Sequence, residues 1–268
     1  MTEPTPSTLD VPGAQLYYEV RGSGPVIMMV GAPMDSSGFA ALAPLLATDH
    51  TVVTYDPRGI ARSTRDDPDE DLTAEIFADD VHRVLAAVTD EPAAMLGSSG
   101  GAITGLSLVE RHPGQVHTLV AHEPPVAELL SDAEQVRAGF ADIYATYRAE
   151  GPFAAMAKFF VLTGIEAPTP EDTGEQPDPA EMAATLDVFL GHMVRTIGAY
   201  RPDVDVLRAS PTRIVVAGGA TSKGQLAHRT AEALADRLGT PLVEFPGDHG
   251  GFAGEPEAFA RRLREVLA

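Results

Sequence analysis

The stretch Gly97-Ser98-Ser99-Gly100-Gly101 sets a serine at the centre of a Gly-x-Ser-x-Gly turn. Ala93-Ala94-Met95-Leu96 before it reads as a short apolar strand, and Ala102, Gly105, Leu106 and Val109 after it fall at helical spacing. A strand-to-helix turn this tight strains its central residue and holds Ser99 out at the tip, while the flanking glycines permit close backbone approach. The first amides of the helix point back at the serine, which suits an oxygen that becomes negative during reaction. A serine hydroxyl is a weak nucleophile at neutral pH, so chemistry at Ser99 demands a neighbouring base, and among the 8 histidines His249 is the candidate. It lies in the glycine-rich run Pro246-Gly247-Asp248-His249-Gly250-Gly251-Phe252, just beyond the last expected strand. His112, His117, His192 and His228 fall on expected helices or strands, where packing or surface roles account for them. A glycine-rich turn without chemistry would look similar, as would a dinucleotide-binding loop. The latter needs Gly-x-Gly-x-x-Gly, and Ser99 stands where its second glycine should be.

The elements that must position these residues alternate. Period-two character over 14–20 predicts an early antiparallel strand, closed by the break Gly22-Ser23-Gly24-Pro25. Val26-Ile27-Met28-Met29-Val30 is apolar without alternation, as strands buried on both faces are. A short helix over 39–46, a strand over 51–55 ending in Asp56-Pro57-Arg58-Gly59, and a longer helix over 72–88 follow. Beyond the serine turn and its helix, 117–121 reads as another strand, and 213–217 and 242–245 as the last two, with helices over 224–238 and from Pro256 to the end. Strands alternating with helices imply parallel pairing with crossover helices, hence an α/β sheet covered on both faces. Ligands of such sheets sit at the carboxyl ends of the strands, where Ala32, Ser99 and Glu123 all fall.

The rhythm stops between Pro125 and Ser210, where helices are expected over 132–150, 153–163 and 181–198, around a Pro- and acid-rich loop over 167–179. The expected organisation is a core domain of residues 1–125 and 211–268 with a helical insertion over 126–210. With 268 residues and 44% hydrophobic content the chain can build one large core and a small insertion. It holds no cysteine, which removes thiol nucleophiles, disulfides and thiolate metal sites. A net charge of −20 opposes nucleic acid and anionic lipid surfaces as partners. No apolar run is long enough to span a bilayer, and residues 1–10 are polar and proline-bearing, unlike a secretory signal. A cytoplasmic location and a loose N-terminus are the expectations.

These motifs, in this order, resemble the α/β-hydrolase fold superfamily over nearly the whole chain. The resemblance rests on Gly97-Ser98-Ser99-Gly100-Gly101 as nucleophile elbow, Asp248-His249-Gly250 as the late histidine loop, Tyr55-Asp56-Pro57-Arg58-Gly59 after the fourth strand, and Gly31-Ala32-Pro33 as the oxyanion loop. It implies a mostly parallel eight-stranded sheet with helices on both faces, a helical cap formed by the insertion, Ser99 as nucleophile, and the Ala32 and Gly100 amides as the oxyanion hole. Two departures stand out. The oxyanion loop begins Val30-Gly31 where His-Gly is frequent, and the place after the seventh strand, where the triad acid usually lies, reads Ala217-Gly218-Gly219-Ala220-Thr221-Ser222-Lys223 without a carboxylate. Glu123, directly after the sixth strand, is the candidate acid, since some families of this fold, certain haloalkane dehalogenases among them, carry it there. Asp248 is too near His249 in sequence for the role, and Asp35 or an acid of the insertion remains an alternative.

A serine at the elbow points to acyl chemistry rather than to the opening of alkyl halides or epoxides by an aspartate. The expectation is a hydrolase of a small, largely apolar ester, lactone or related acyl compound, with Phe153, Met156, Phe159, Phe160, Phe189 and Met193 of the cap shaping the substrate pocket, and about half of them facing the core instead. No cofactor or metal is implied; the partner is the small-molecule substrate, and a homo-oligomer stays open. Cofactor-free lyase, perhydrolase or oxygenase chemistry on the same fold, or non-catalytic ligand binding in the cap pocket, are the competing readings.

Overall fold

The computed structural model of the chain describes residues 3–166 and 179–268. Its strands are β1 (Thr5–Val11), β2 (Ala14–Gly22), β3 (Val26–Ala32), β4 (Thr51–Tyr55), β5 (Ala93–Ser99), β6 (Val116–His122), β7 (Arg213–Gly219) and β8 (Val243–Phe245). They form one eight-stranded sheet in the order β1-β2-β4-β3-β5-β6-β7-β8. β2 is antiparallel to both β1 and β4, and every later pair is parallel.

The apolar run of β3 divides between the two faces. Met28 and Val30 join the core that also holds Phe77, Val81 and Leu85 of α2 (Ala74–Val88) and Ile103 and Leu106 of α3 (Gly100–Arg111). Ile27 and Met29 join the opposite core, with Leu46 of α1 (Ala43–Leu46) and Phe259 and Leu263 of the final helix (Pro256–Leu267). Both faces are therefore buried, as the absence of alternation requires. Truncating such large, wholly buried side chains costs about 2–5 kcal/mol each.

The N-terminus departs from its expected looseness. β1 pairs with β2 over its whole length, and Leu9 and Val11 pack on the core from an otherwise polar strand. Two such residues, at a sheet edge, suffice once the backbone ladder is satisfied.

Between β6 and β7 the described chain is helical: α4 (Ala133–Glu150), α5 (Pro152–Thr163), α6 (Pro179–Val188), α7 (Val194–Ala199) and α8 (Val204–Ala209). The loop expected over 167–179 lies, apart from Pro179, outside the described residues. The single helix expected over 181–198 is interrupted by a π-helical turn, Phe189–Met193. In that wider turn residues five apart share a face, and Phe189 and Val194 line one hollow, whereas an unbroken α-helix would set them about 140° apart. Leu72 N–H donates to the His192 carbonyl at 2.9 Å and Arg195 pairs with Asp71 at 3.0 Å, fixing this turn against the segment before α2. The remaining helices are α9 (Leu226–Leu238), ended by Gly239 at φ 72°, α10 (Gly251–Gly254) and α11 (Pro256–Leu267).

Candidate active site

Ser99 ends β5 and precedes α3, with φ 56° and ψ −122°, a conformation L residues rarely adopt. The glycines make the turn sterically feasible. A Cβ on Gly97 would lie 2.4 Å from the Gly101 carbonyl oxygen, and one on Gly101 would lie 2.0 Å from that of Val30. Ser99 Oγ makes no cap bond to its helix and has no hydrogen-bond partner among the described residues, so it is free to turn.

β3 pairs in parallel with β5 so that Ala32 lies beside Ser99. A Cβ on Gly100 would fall 2.8 Å from the Ala32 carbonyl oxygen, so the two backbones abut at the serine. Pro33 carries no amide hydrogen and so cannot donate from this loop. The loop is braced by the turn after β4. Buried Asp56 accepts from Ser36 N–H at 3.0 Å and from Arg62 Nε at 2.8 Å, and Arg58 grips buried Asp80 with two bonds of 3.0 and 2.7 Å. Composition identified only a turn there; Asp56 and Arg58 are its anchors.

Glu123 follows β6, wholly buried, with φ 49°. Ser99, Glu123 and Ala61 are the three non-glycine residues of positive φ among the described residues, and strain of this kind concentrates at sites held in place by their surroundings. Oε2 of Glu123 meets His249 Nδ1 at 2.6 Å. A carboxylate only accepts, so Nδ1 carries the proton and Nε2 is left with its lone pair. Oε1 accepts from Gly219 N–H at 2.9 Å and from the Ser222 hydroxyl. Burial works to raise the pKa of Glu123, but the hydrogen bond and charge interaction with His249, followed by smaller contributions from His122 and the Ser222 hydroxyl, outweigh it and hold the carboxyl at about 2. The two other carboxylates considered are used locally. Asp35 caps the turn at Ser37 N–H, 2.8 Å, and Asp248 accepts from Gly250 N–H, also 2.8 Å.

Sequence reasoning passed over His122, wholly buried at the end of β6 beside Glu123. Its Nδ1 lies 3.1 Å from Ser98 Oγ, its Nε2 is buried without a partner among the described residues, and its ring packs edge-on with those of Phe245 and Phe259. Burial depresses its pKa from 6.5 to about 4, against the pull of Glu123. His122 is thus neutral at pH 7 and ties the serine turn to the strand that carries Glu123.

Both depressed pKa values act on stability with the same sign. The unfolded chain binds protons that folded His122 refuses between pH 6.5 and about 4, and that folded Glu123 refuses between pH 4.5 and about 2. The contribution of these two groups to stability is full above pH 6.5 and is lost as pH falls through both windows. Urea midpoints measured from pH 7 to 4 are expected to fall, and to fall less steeply in His122→Gln; an equal slope in the variant would contradict a neutral buried His122.

Two hollows meet at Ser99. The inner one, about 50 Å³, is apolar and the more enclosed of the two, lined by Phe140, Phe159, Phe189, Val194, Ile197 and Leu226 together with Ala32, Ser99, Gly100 and His249. The outer one, about 220 Å³, is lined also by Met34, Gly250 and Phe252 and shares Ala32, Pro33, Ser99, Phe159, Ile165 and His249 with the first. Of the six apolar residues expected at the pocket, Phe159 and Phe189 line it. Phe153 does not: it is 77% exposed. Met193 is wholly buried in the core, and Met156 and Phe160 lie outside both linings, Met156 packing on the core and Phe160 against the Phe159 ring. Helix α5 is apolar nearly all round, so its sequence carries no periodicity to say which face turns inward.

A family model described as "alpha/beta hydrolase fold" matches residues 24–160. An uncharacterized hydrolase, YraK, from Bacillus subtilis is 37% identical over 267 residues, covering 97% of this chain and 95% of that one. The zearalenone hydrolase of Bionectria ochroleuca is 25% identical over 276 residues, covering 98% of this chain and 97% of its own. Among solved structures, a thermophilic esterase from Thermogutta terrifontis superposes with a TM-score of 0.75 at 18% identity, over 99% of this chain and 98% of that one.

Proposed function

Because the chain belongs to the alpha/beta hydrolase fold family, we propose that it is a serine hydrolase that cleaves a small, largely apolar ester or lactone through an acyl-enzyme. The observation that carries this reading is the 2.6 Å bond from His249 to a buried Glu123, with His249 and Ser99 facing the same hollows. On this reading Ser99 Oγ attacks the substrate carbonyl and its proton passes to His249 Nε2. Glu123 keeps the imidazole in the required tautomer and stabilises the imidazolium. The Gly100 and Ala32 amides hold the tetrahedral oxyanion. His249 returns the proton to the departing alkoxide; it then takes one from water, whose attack on the acyl-Ser99 ester releases the acid and restores the serine. The helices over 126–210 serve as the cap, excluding water from the apolar side.

The unequal hollows suggest how the substrate divides. The more enclosed inner hollow takes the apolar acyl group, and the outer one takes the leaving group and gives it a way out. Phe159, common to both, is the partition. Aryl esters from acetate to octanoate test this: kcat/KM is expected to peak at the short acyl groups and to move toward longer ones in Phe159→Ala. A protein that turns over no ester or lactone of any size overturns the reading, and an unchanged chain-length profile in Phe159→Ala overturns the assignment of the inner hollow.

A further inference from the structure

The turn after β7 lacks the carboxylate that its position in the fold usually supplies, yet it is built around one. Gly219 ends β7 with its N–H on Glu123 Oε1 at 2.9 Å, and three residues later the wholly buried Ser222 brings its hydroxyl to the same oxygen. The turn is fixed from outside: Ala220 N–H donates to the Phe245 carbonyl at 2.9 Å and Thr221 N–H to that of Gly247 at 3.0 Å. It also touches the His249 loop directly, since a Cβ on Gly219 would fall 2.6 Å from the Asp248 carbonyl oxygen. Ser222 Oγ lies 3.1 Å from the Gly219 carbonyl as well, but a hydroxyl has one hydrogen and the carboxylate is the stronger acceptor. The two oxygens of Glu123 are therefore divided: Oε1 is held by the turn, and Oε2 meets, among the described residues, His249 alone.

We propose that Ser222 is a positioning residue for the Glu123–His249 pair, so that the turn after β7 aims a carboxylate delivered by β6 in place of carrying its own. A glutamate side chain has three rotatable bonds, and the 2.6 Å contact with His249 needs its carboxylate plane fixed. Without the hydroxyl, the Gly219 N–H and the His249 ring are what remain on the carboxylate, so its plane is no longer fixed independently of the imidazole it must orient. This rests on the triad reading above, and it adds that Ser222 acts through Glu123 and not through packing.

The test is a double-mutant cycle on an aryl ester, with kcat and KM measured for wild type, Ser222→Ala, Glu123→Gln and the double variant, and folding checked by thermal unfolding. Ser222→Ala is expected to lower kcat by about 10- to 100-fold, the cost of a misplaced catalytic group, with KM little changed. In the Glu123→Gln background the same change is expected to cost almost nothing further, because residues acting as one unit are not additive. An equal loss in both backgrounds, or no loss in Ser222→Ala while Glu123→Gln is impaired, overturns the role of Ser222 and leaves the triad standing. Full activity of Glu123→Gln overturns the triad assignment itself, and with it this inference.

Discussion

Ser99→Ala is expected to lower kcat by about 10⁴- to 10⁶-fold, with the ester still bound and the fold intact. The hydroxyl makes no hydrogen bond to any of the described residues, so its removal breaks no bond among them. The positive φ of 56° is no more costly for alanine than for serine, and stability should hold to within about 1 kcal/mol. Steady-state kinetics on an aryl ester, with unfolding curves beside them, check both halves. The neighbouring Ser98 is the internal control. Its hydroxyl faces His122 inside the protein, so Ser98→Ala should perturb stability more than chemistry.

The second large effect is expected at Glu123→Gln, a loss of about 10³- to 10⁴-fold in kcat/KM. The size of this loss follows from tautomer control. Gly219 N–H and the Ser222 hydroxyl both donate toward Oε1, so a glutamine must place its carbonyl oxygen there and turn its NH₂ toward His249. Facing a donor, Nδ1 becomes the acceptor and the proton moves to Nε2, the nitrogen that must take the proton of Ser99. Nitrogen NMR of the His249 ring distinguishes the two tautomers directly. Wild-type activity together with an Nδ1–H signal in the variant would contradict the argument.

The fold was legible because its signals are local. Apolar runs as short as Val26–Val30, unalternating and bounded by turn residues, read as strands buried on two faces, and helices with one apolar stripe fill the spaces between them. β1 was missed because its polar residues outnumber the two, Leu9 and Val11, that anchor it, and its strongest tie is a backbone ladder that composition does not reveal. At the candidate site, the position of Glu123 at a strand end followed from topology, and the absence of an acid after β7 was visible in the chain. What fills that absence was not. Ser222 looks like any turn serine until the fold brings it beside a residue 99 positions away in sequence. The pocket walls were the least legible part, because the apolar faces of α5 cannot be ranked by sequence and the π-helical turn at Phe189–Met193 re-aims the next helix.

The central claim is that Ser99 is an activated nucleophile, and covalent labelling tests it most directly. A fluorophosphonate probe, followed by peptide mapping, is expected to place one phosphonyl group per chain on Ser99 in wild type, to label far more slowly in His249→Ala and Glu123→Gln, and to leave Ser99→Ala unmodified. An ester turned over by wild type without any adduct at Ser99, or with the adduct on another residue, would contradict it.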